Sequence, residues 1–305
     1  MSLELRGGGG LTAVIDEQRG AAVVSLTVPD GRSVLSAVSV ETRRRLIDEA
    51  PVDADPSQLS WMGESRGGWE VMAPNAGGAG GVDARYEFHG TAGRIPWRVA
   101  QHDGSSAVLD AHADDWAFGR EIRVTDRALE VTEVLQTSRS RPAAWGSHLA
   151  FGGDLLDGPL TLTLPGRAVA GTVDGESADG AALAELLKQP HRIGSALAYI
   201  DCEGDGRARL SNGAQGISAT ITWDARVLPF LWVWIELGGT TGWPWFGAVR
   251  ALGIEPVSAW PADGTAALVA AGRELTIEAR EPRVATVRVE LDWASGHQQE
   301  DNEPR

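Results

Sequence analysis

Apolar and polar residues alternate in short runs along most of the chain, the period-two signature of strands with one buried face. Such runs cover residues 11–16, 22–28, 122–124, 129–135, 160–164, 217–223, 230–235, 248–254, 274–279 and 285–291. Turn formers stand between them: Pro29-Asp30-Gly31, Asp103-Gly104, Asp157-Gly158, Asp174-Gly175, Asn212-Gly213 and Asp263-Gly264. Glycine reaches conformations closed to other residues, and Asp or Asn bonds its own backbone, so these pairs reverse the chain. The helical period is scarce, and only residues 39–49 and 181–188 predict short helices. Many short strands with few helices predict an all-β fold, a sandwich or barrel rather than a parallel sheet with crossover helices. Neither a repeat nor a linker divides the chain, which predicts one domain over residues 1–294 and a polar tail over 295–305.

Composition narrows the function. The 305 residues, 43% of them hydrophobic, suffice for a large core. A formal charge of −15 argues against nucleic acid, because phosphate binders present a basic face. The first ten residues lack the apolar core of a signal peptide. No segment approaches the roughly 20 apolar residues of a membrane span, so the expectation is a cytoplasmic protein without a membrane partner. Cys202 is the one cysteine, which excludes an intramolecular disulfide and fits a reducing compartment. Twelve tryptophans stand beside two tyrosines and five phenylalanines. Most belong in a core, yet the flat indole also stacks on sugar C–H surfaces.

Two familiar motifs fail on context. Gly63-Glu64-Ser65-Arg66-Gly67 matches the G-x-S-x-G nucleophile elbow, but that motif needs a helix immediately after it. Gly68, Pro74 and a run of glycines follow instead, within a glycine-rich loop over 66–81. His102 and His112 lie near Asp110, Asp114 and Asp115 without a compact ligand spacing, so they read as surface residues and no metal is expected.

Three segments put titratable groups among apolar residues and glycines. They are Tyr86-Glu87-Phe88-His89-Gly90 leading to Arg94-Ile95-Pro96-Trp97, then Trp145-Gly146-Ser147-His148-Leu149-Ala150-Phe151, then Gly253-Ile254-Glu255-Pro256. Proline at 256 biases Glu255 towards an extended backbone. In this order the segments resemble the aldose 1-epimerase (galactose mutarotase-like) family. Phe88-His89-Gly90 with Pro96-Trp97 is similar to its first histidine signature, and His148-Leu149-Ala150-Phe151 to its second. Gly253-Ile254-Glu255-Pro256 resembles the strand carrying the family glutamate, and residues 9–26 its opening hairpin. Gly68-Trp69 with Pro74-Asn75-Ala76-Gly77 resembles the loop before the first histidine.

The resemblance implies a galactose-mutarotase-like β-supersandwich acting on a small sugar, with no cofactor. It implies Glu255 as base at the anomeric hydroxyl, His148 as acid at the ring oxygen, and His89 as a hydrogen-bonding partner. Asn75, Arg94, Trp97 and Glu236 are the implied sugar contacts. The chain departs from the family where Ala76 follows Asn75 in place of an arginine, a contact that Arg85 or Arg94 would have to supply. Two alternatives stay open: a hexose-phosphate epimerase using Arg85, Arg94 and Arg98, and a non-catalytic sugar binder on the same fold. A polysaccharide lyase would have to draw its tyrosine from Tyr86 and Tyr199. The pattern specifies no oligomeric state.

Overall fold

The computed structural model describes residues 2–79, 86–177, 179–189, 193–260 and 262–294. Among them the strands form a ten-stranded sheet, an eight-stranded sheet and a two-stranded ribbon, with paired strands antiparallel throughout. The alternation read from the sequence is the reason. Along Trp116–Val124 every second residue is buried, so Trp116, Phe118, Ile122 and Val124 face inward. Strand Ala128–Thr137 adds Leu129, Val131 and Leu135 from the same sheet. Leu5, Ile15, Trp69, Leu149, Phe151, Leu252 and Ile254 of the ten-stranded sheet meet them in one continuous core.

A buried ion pair crosses that core. Arg120 and Glu133 are register partners on neighbouring strands, 3.3 Å apart. Arg120 also donates to the Ala21 carbonyl at 2.7 Å, and the Trp145 indole N–H donates to Glu133 at 3.0 Å.

All ten alternating runs fall in strands, and the two expected helices are α1 (Val40–Asp48) and α3 (Gly180–Lys188). The hydrophobic pattern missed α2 (Pro56–Glu64) and α4 (Thr265–Ala271). A capping signal announces α2 nonetheless: the Asp55 carboxylate accepts from the Ser57 and Gln58 amides, and Pro56 opens the helix. Strands Ser106–Ala113 and Ser195–Asp201 were also missed, because alanine and serine dilute their alternation. Ser65 closes α2 and no helix follows Gly67; its hydroxyl donates to Glu70, as befits a structural residue. No helix among the described residues is long and apolar enough to cross a membrane.

The second face of the ten-stranded sheet positions the site. Residues two apart on a strand share a face. Leu149, Leu252 and Ile254 point into the core, so His148, Gly253 and Glu255 point away from it. Helix α2 and the loops around residues 77–79, 86–90 and 244–249 wall this outer face into a cleft.

Candidate active site

The register of three strands brings the titratable residues together. Gly146 pairs with Val257 and Ala150 with Gly253, which sets His148 opposite Glu255. Glu255 pairs with Trp232 on its other side, and Trp232 with Tyr199. Separations of about a hundred residues in sequence therefore become neighbouring strands. His148 Nε2 lies 3.7 Å from Glu255 Oε1, beyond a hydrogen bond but within ion-pair range. The His89 ring sits 5.5 Å from that of His148, centroid to centroid.

His89 comes from the 86–90 loop rather than from the sheet, and its backbone takes the left-handed conformation with φ of 54°. Gly90 continues the turn, where a Cβ would stand 2.2 Å from the Ala73 carbonyl oxygen. The Gly77 amide donates to His89 Nδ1 at 3.0 Å. That bond fixes the tautomer: the neutral ring carries its proton on Nε2 and is a donor there.

Burial sets the protonation states. With no cation beside it among the described residues, the desolvated Glu255 carboxyl is pushed up to about 8. Burial likewise moves His148 down to about 4 and takes His89 well below its ordinary value, with His148 adding repulsion. At neutral pH the carboxyl holds a proton and both imidazoles are uncharged. His148 Nδ1 is buried with no partner among the described residues. Gly253 makes room for the carboxyl, since a Cβ there would lie 2.2 Å from Glu255 Oε1.

The cleft holds about 480 Å³, within the range of small-molecule sites. Five aromatic side chains stand in its walls: Trp61, Phe88, Trp232, Trp234 and Trp245. The Trp61 ring stands edge-on to both histidines, 4.6 Å from His89 and 5.1 Å from His148. Trp234 is 6.2 Å from His148 and 5.7 Å from Trp245. Among the described residues lining the cleft there is neither lysine nor arginine.

The other residues singled out from sequence sit elsewhere. Trp97 is buried against Phe118 in the core, and its indole N–H donates to the Ala92 carbonyl at 3.0 Å. The Asn75 amide donates to the Gly78 and Glu87 carbonyls, both at 2.8 Å. Its oxygen accepts from the Thr265 amide and hydroxyl, capping α4 where Gly264 has no side chain to do so. Asn75 thus braces the loop whose Gly77 orients His89. Glu236 accepts from the Thr240 amide and hydroxyl and is 1% exposed. Arg94 pairs with Glu87 and donates to Ser60, in a separate groove beside Asp55 and Tyr86. Arg98 pairs with Asp110 on an outer edge strand, and Arg85 lies outside the described residues. Sequence reasoning passed over Trp61, Trp234 and Trp245 as individual site residues. The Asp55-Pro56 cap that starts the Trp61 helix was the available signal.

No protein-family model matches the sequence, and no curated protein does. Solved structures match its fold. The Slr1438 protein from Synechocystis sp. PCC 6803 aligns with a TM-score of 0.71 at 15% identity, over 96% of each chain. The galactose mutarotase related enzyme from Lactobacillus acidophilus aligns at 0.65 and 13% identity, over 97% of this chain and 99% of that one. The GalM/aldose epimerase homologue from C. elegans aligns at 0.62 and 14%, again over 97% and 99%. The chain has the galactose-mutarotase-like fold, in agreement with the resemblance read from its motifs.

Proposed function

We propose that the protein interconverts the α and β anomers of a free aldose. The observation that carries this reading is the pairing of His148 and Glu255, 3.7 Å apart on the floor of a cleft with aromatic walls. Ring opening needs a base to take the anomeric O1 proton while an acid protonates the ring oxygen. The O1–H electron pair becomes the C1=O1 bond, the C1–O5 bond breaks, and its electrons go to O5 with the incoming proton. Rotation about C1–C2 presents the other face, and the reverse steps close the ring.

Burial favours the neutral form of each partner, a protonated Glu255 and an uncharged His148, and from that form the carboxyl begins as acid and His148 as base. The assignment implied by the family resemblance has the opposite sense. It follows after one proton moves from Glu255 to His148, which leaves the charge of the pair unchanged. Either sense uses the same two residues, and they exchange roles on closure. His89 Nε2 donates a hydrogen bond to the oxygen on which negative charge develops.

Anomer exchange followed by NMR tests the proposal. The wild-type protein is expected to accelerate exchange of at least one free aldose, with Glu255→Gln and His148→Asn slowed by about a hundredfold or more though folded. Unchanged rates in both variants would remove the assignment. Sugar binding measured by calorimetry, without any acceleration, would support the non-catalytic reading instead.

A further inference from the structure

Among the described residues five aromatic side chains and six polar ones line the cleft, few hydrogen-bonding side chains for a molecule with a hydroxyl on nearly every carbon. His89, His148 and Glu255 are assigned to O1 and O5 in the reading above, on which this inference rests. Of the remaining three, the Ser65 hydroxyl donates to Glu70 and accepts from the Gly67 amide, so it is already engaged. The Ser36 hydroxyl accepts from the Gly68 amide at 3.4 Å. Among the six described polar side chains of the lining, Gln58 on α2 is left to hold a further hydroxyl. The indole N–H of Trp232 is spent on the Ala259 carbonyl, and that ring offers the cleft only carbon. A hydroxyl buried without a partner gives up its hydrogen bonds to water, whereas a methyl or methylene against indole gains by leaving water.

We propose that the cleft takes an uncharged, deoxygenated aldose, its methyl or methylene edge laid against the wall formed by Trp232, Trp234 and Trp245. Phosphate fits poorly by the same geometry: it would lose its hydration beside the Glu255 carboxyl, with no described lysine or arginine in the lining to receive it. A hydrophobic pocket rejects an added hydroxyl by up to about a hundredfold. The expected discrimination is therefore between about tenfold and a hundredfold.

Matched pairs test this directly. D-fucose and D-galactose differ only at O6, as do D-quinovose and D-glucose, while 2-deoxy-D-glucose and D-glucose differ at O2. Galactose 6-phosphate and glucose 6-phosphate supply the charged arm. NMR exchange rates give kcat/KM for each, and calorimetric titration gives affinity independently of turnover. At least one deoxy sugar is expected to exceed its parent about tenfold or more in both measurements, and Trp245→Ala is expected to bring that ratio towards one. Parity within every pair, a preference for the hydroxylated or phosphorylated partner, or binding of neither member would overturn the inference. Acceleration of a parent hexose at parity would leave the epimerase reading standing. Tighter binding of deoxy sugars with no acceleration would do the reverse.

Discussion

Glu133 and Glu255 are each 3% exposed, and burial pushes both carboxyls upward, yet they sit in opposite chemical settings. Glu133 lies between the sheets with the Arg120 guanidinium at 3.3 Å and the Trp145 N–H at 3.0 Å. The cation opposes the upward push, and Arg120 is itself held by backbone carbonyls. Glu255 has a neutral imidazole instead, and an open cleft above it. Burial alone does not distinguish a strut from an acid. A fixed positive charge locks a carboxylate into the architecture, whereas an uncharged base leaves it a proton to exchange near working pH.

Removing each carboxylate is the strongest way to break the comparison. Glu255→Gln is expected to lower catalysed exchange by about 10²–10⁴-fold, the ordinary contribution of a positioned acid–base group, with no loss in Tm. Glu133→Gln leaves Arg120 buried without its anion and is expected to cost about 3–5 kcal/mol in denaturant unfolding, with exchange per folded molecule nearly unchanged. An unstable Glu255→Gln or an inactive but stable Glu133→Gln would erase the distinction.

The same contrast appears in pH dependence. The folded Glu255 carboxyl keeps its proton up to about 8, whereas the unfolded chain releases it near 4.5. Its contribution to stability is complete below 4.5 and is lost as pH rises towards 8, because the folded state then holds the extra proton. Glu255→Gln should therefore gain on the wild type as pH rises, by at most about 5 kcal/mol for a shift of this order. His148 acts in the other direction. Its neutral folded form favours folding above 6.5, and that contribution is lost as pH falls towards about 4. Activity that needs one proton on the pair should form a bell with limbs near 4 and 8. An upper limb that survives in Glu255→Gln would reassign it.

Much of the fold was legible because two-residue alternation follows directly from a sheet with one face in the core. His148 and Glu255 drew notice for the same reason: they interrupt apolar strand sequence where packing does not ask for a charge, and the register brings them together in the cleft. The peripheral contacts were not legible. Asn75, Trp97 and Glu236 look like ligands in a one-dimensional motif, yet each spends its polar atoms on neighbouring backbone or hydroxyl groups. A hydrogen bond between distant loops leaves no period in the sequence. Trp61 was hidden in the opposite way, on a helix with a weak apolar stripe, where only the cap betrays the element.

A smaller effect sharpens what sets Glu255 apart. Gly253 precedes it by two residues on the same face, and a Cβ there would meet Oε1 at 2.2 Å. Gly253→Ala should push the carboxyl towards solvent, lowering kcat about tenfold to a hundredfold as a misplacement near 1 Å does. The upper pH limb should move down as desolvation eases. An unshifted limb would mean that the carboxyl finds another equally buried position.

The smallest expected effect separates motif from geometry. Trp97 lies in the segment that resembles a family histidine motif, whereas Trp234 lies in none, yet Trp234 lines the cleft and Trp97 faces Phe118 in the core. Trp97→Phe keeps an aromatic ring and loses the bond to the Ala92 carbonyl, a change of about 1 kcal/mol in unfolding free energy. KM should stay within about twofold of the wild type, because a shift below 0.4 kcal/mol is all that a remote core substitution transmits to an unmoved wall. Trp234→Phe also keeps an aromatic ring but trims the surface next to His148, and should raise KM several-fold with little change in Tm. Steady-state exchange kinetics on the two variants decide the matter: a larger KM effect from Trp97 than from Trp234 would put the sugar on the other side of the sheet.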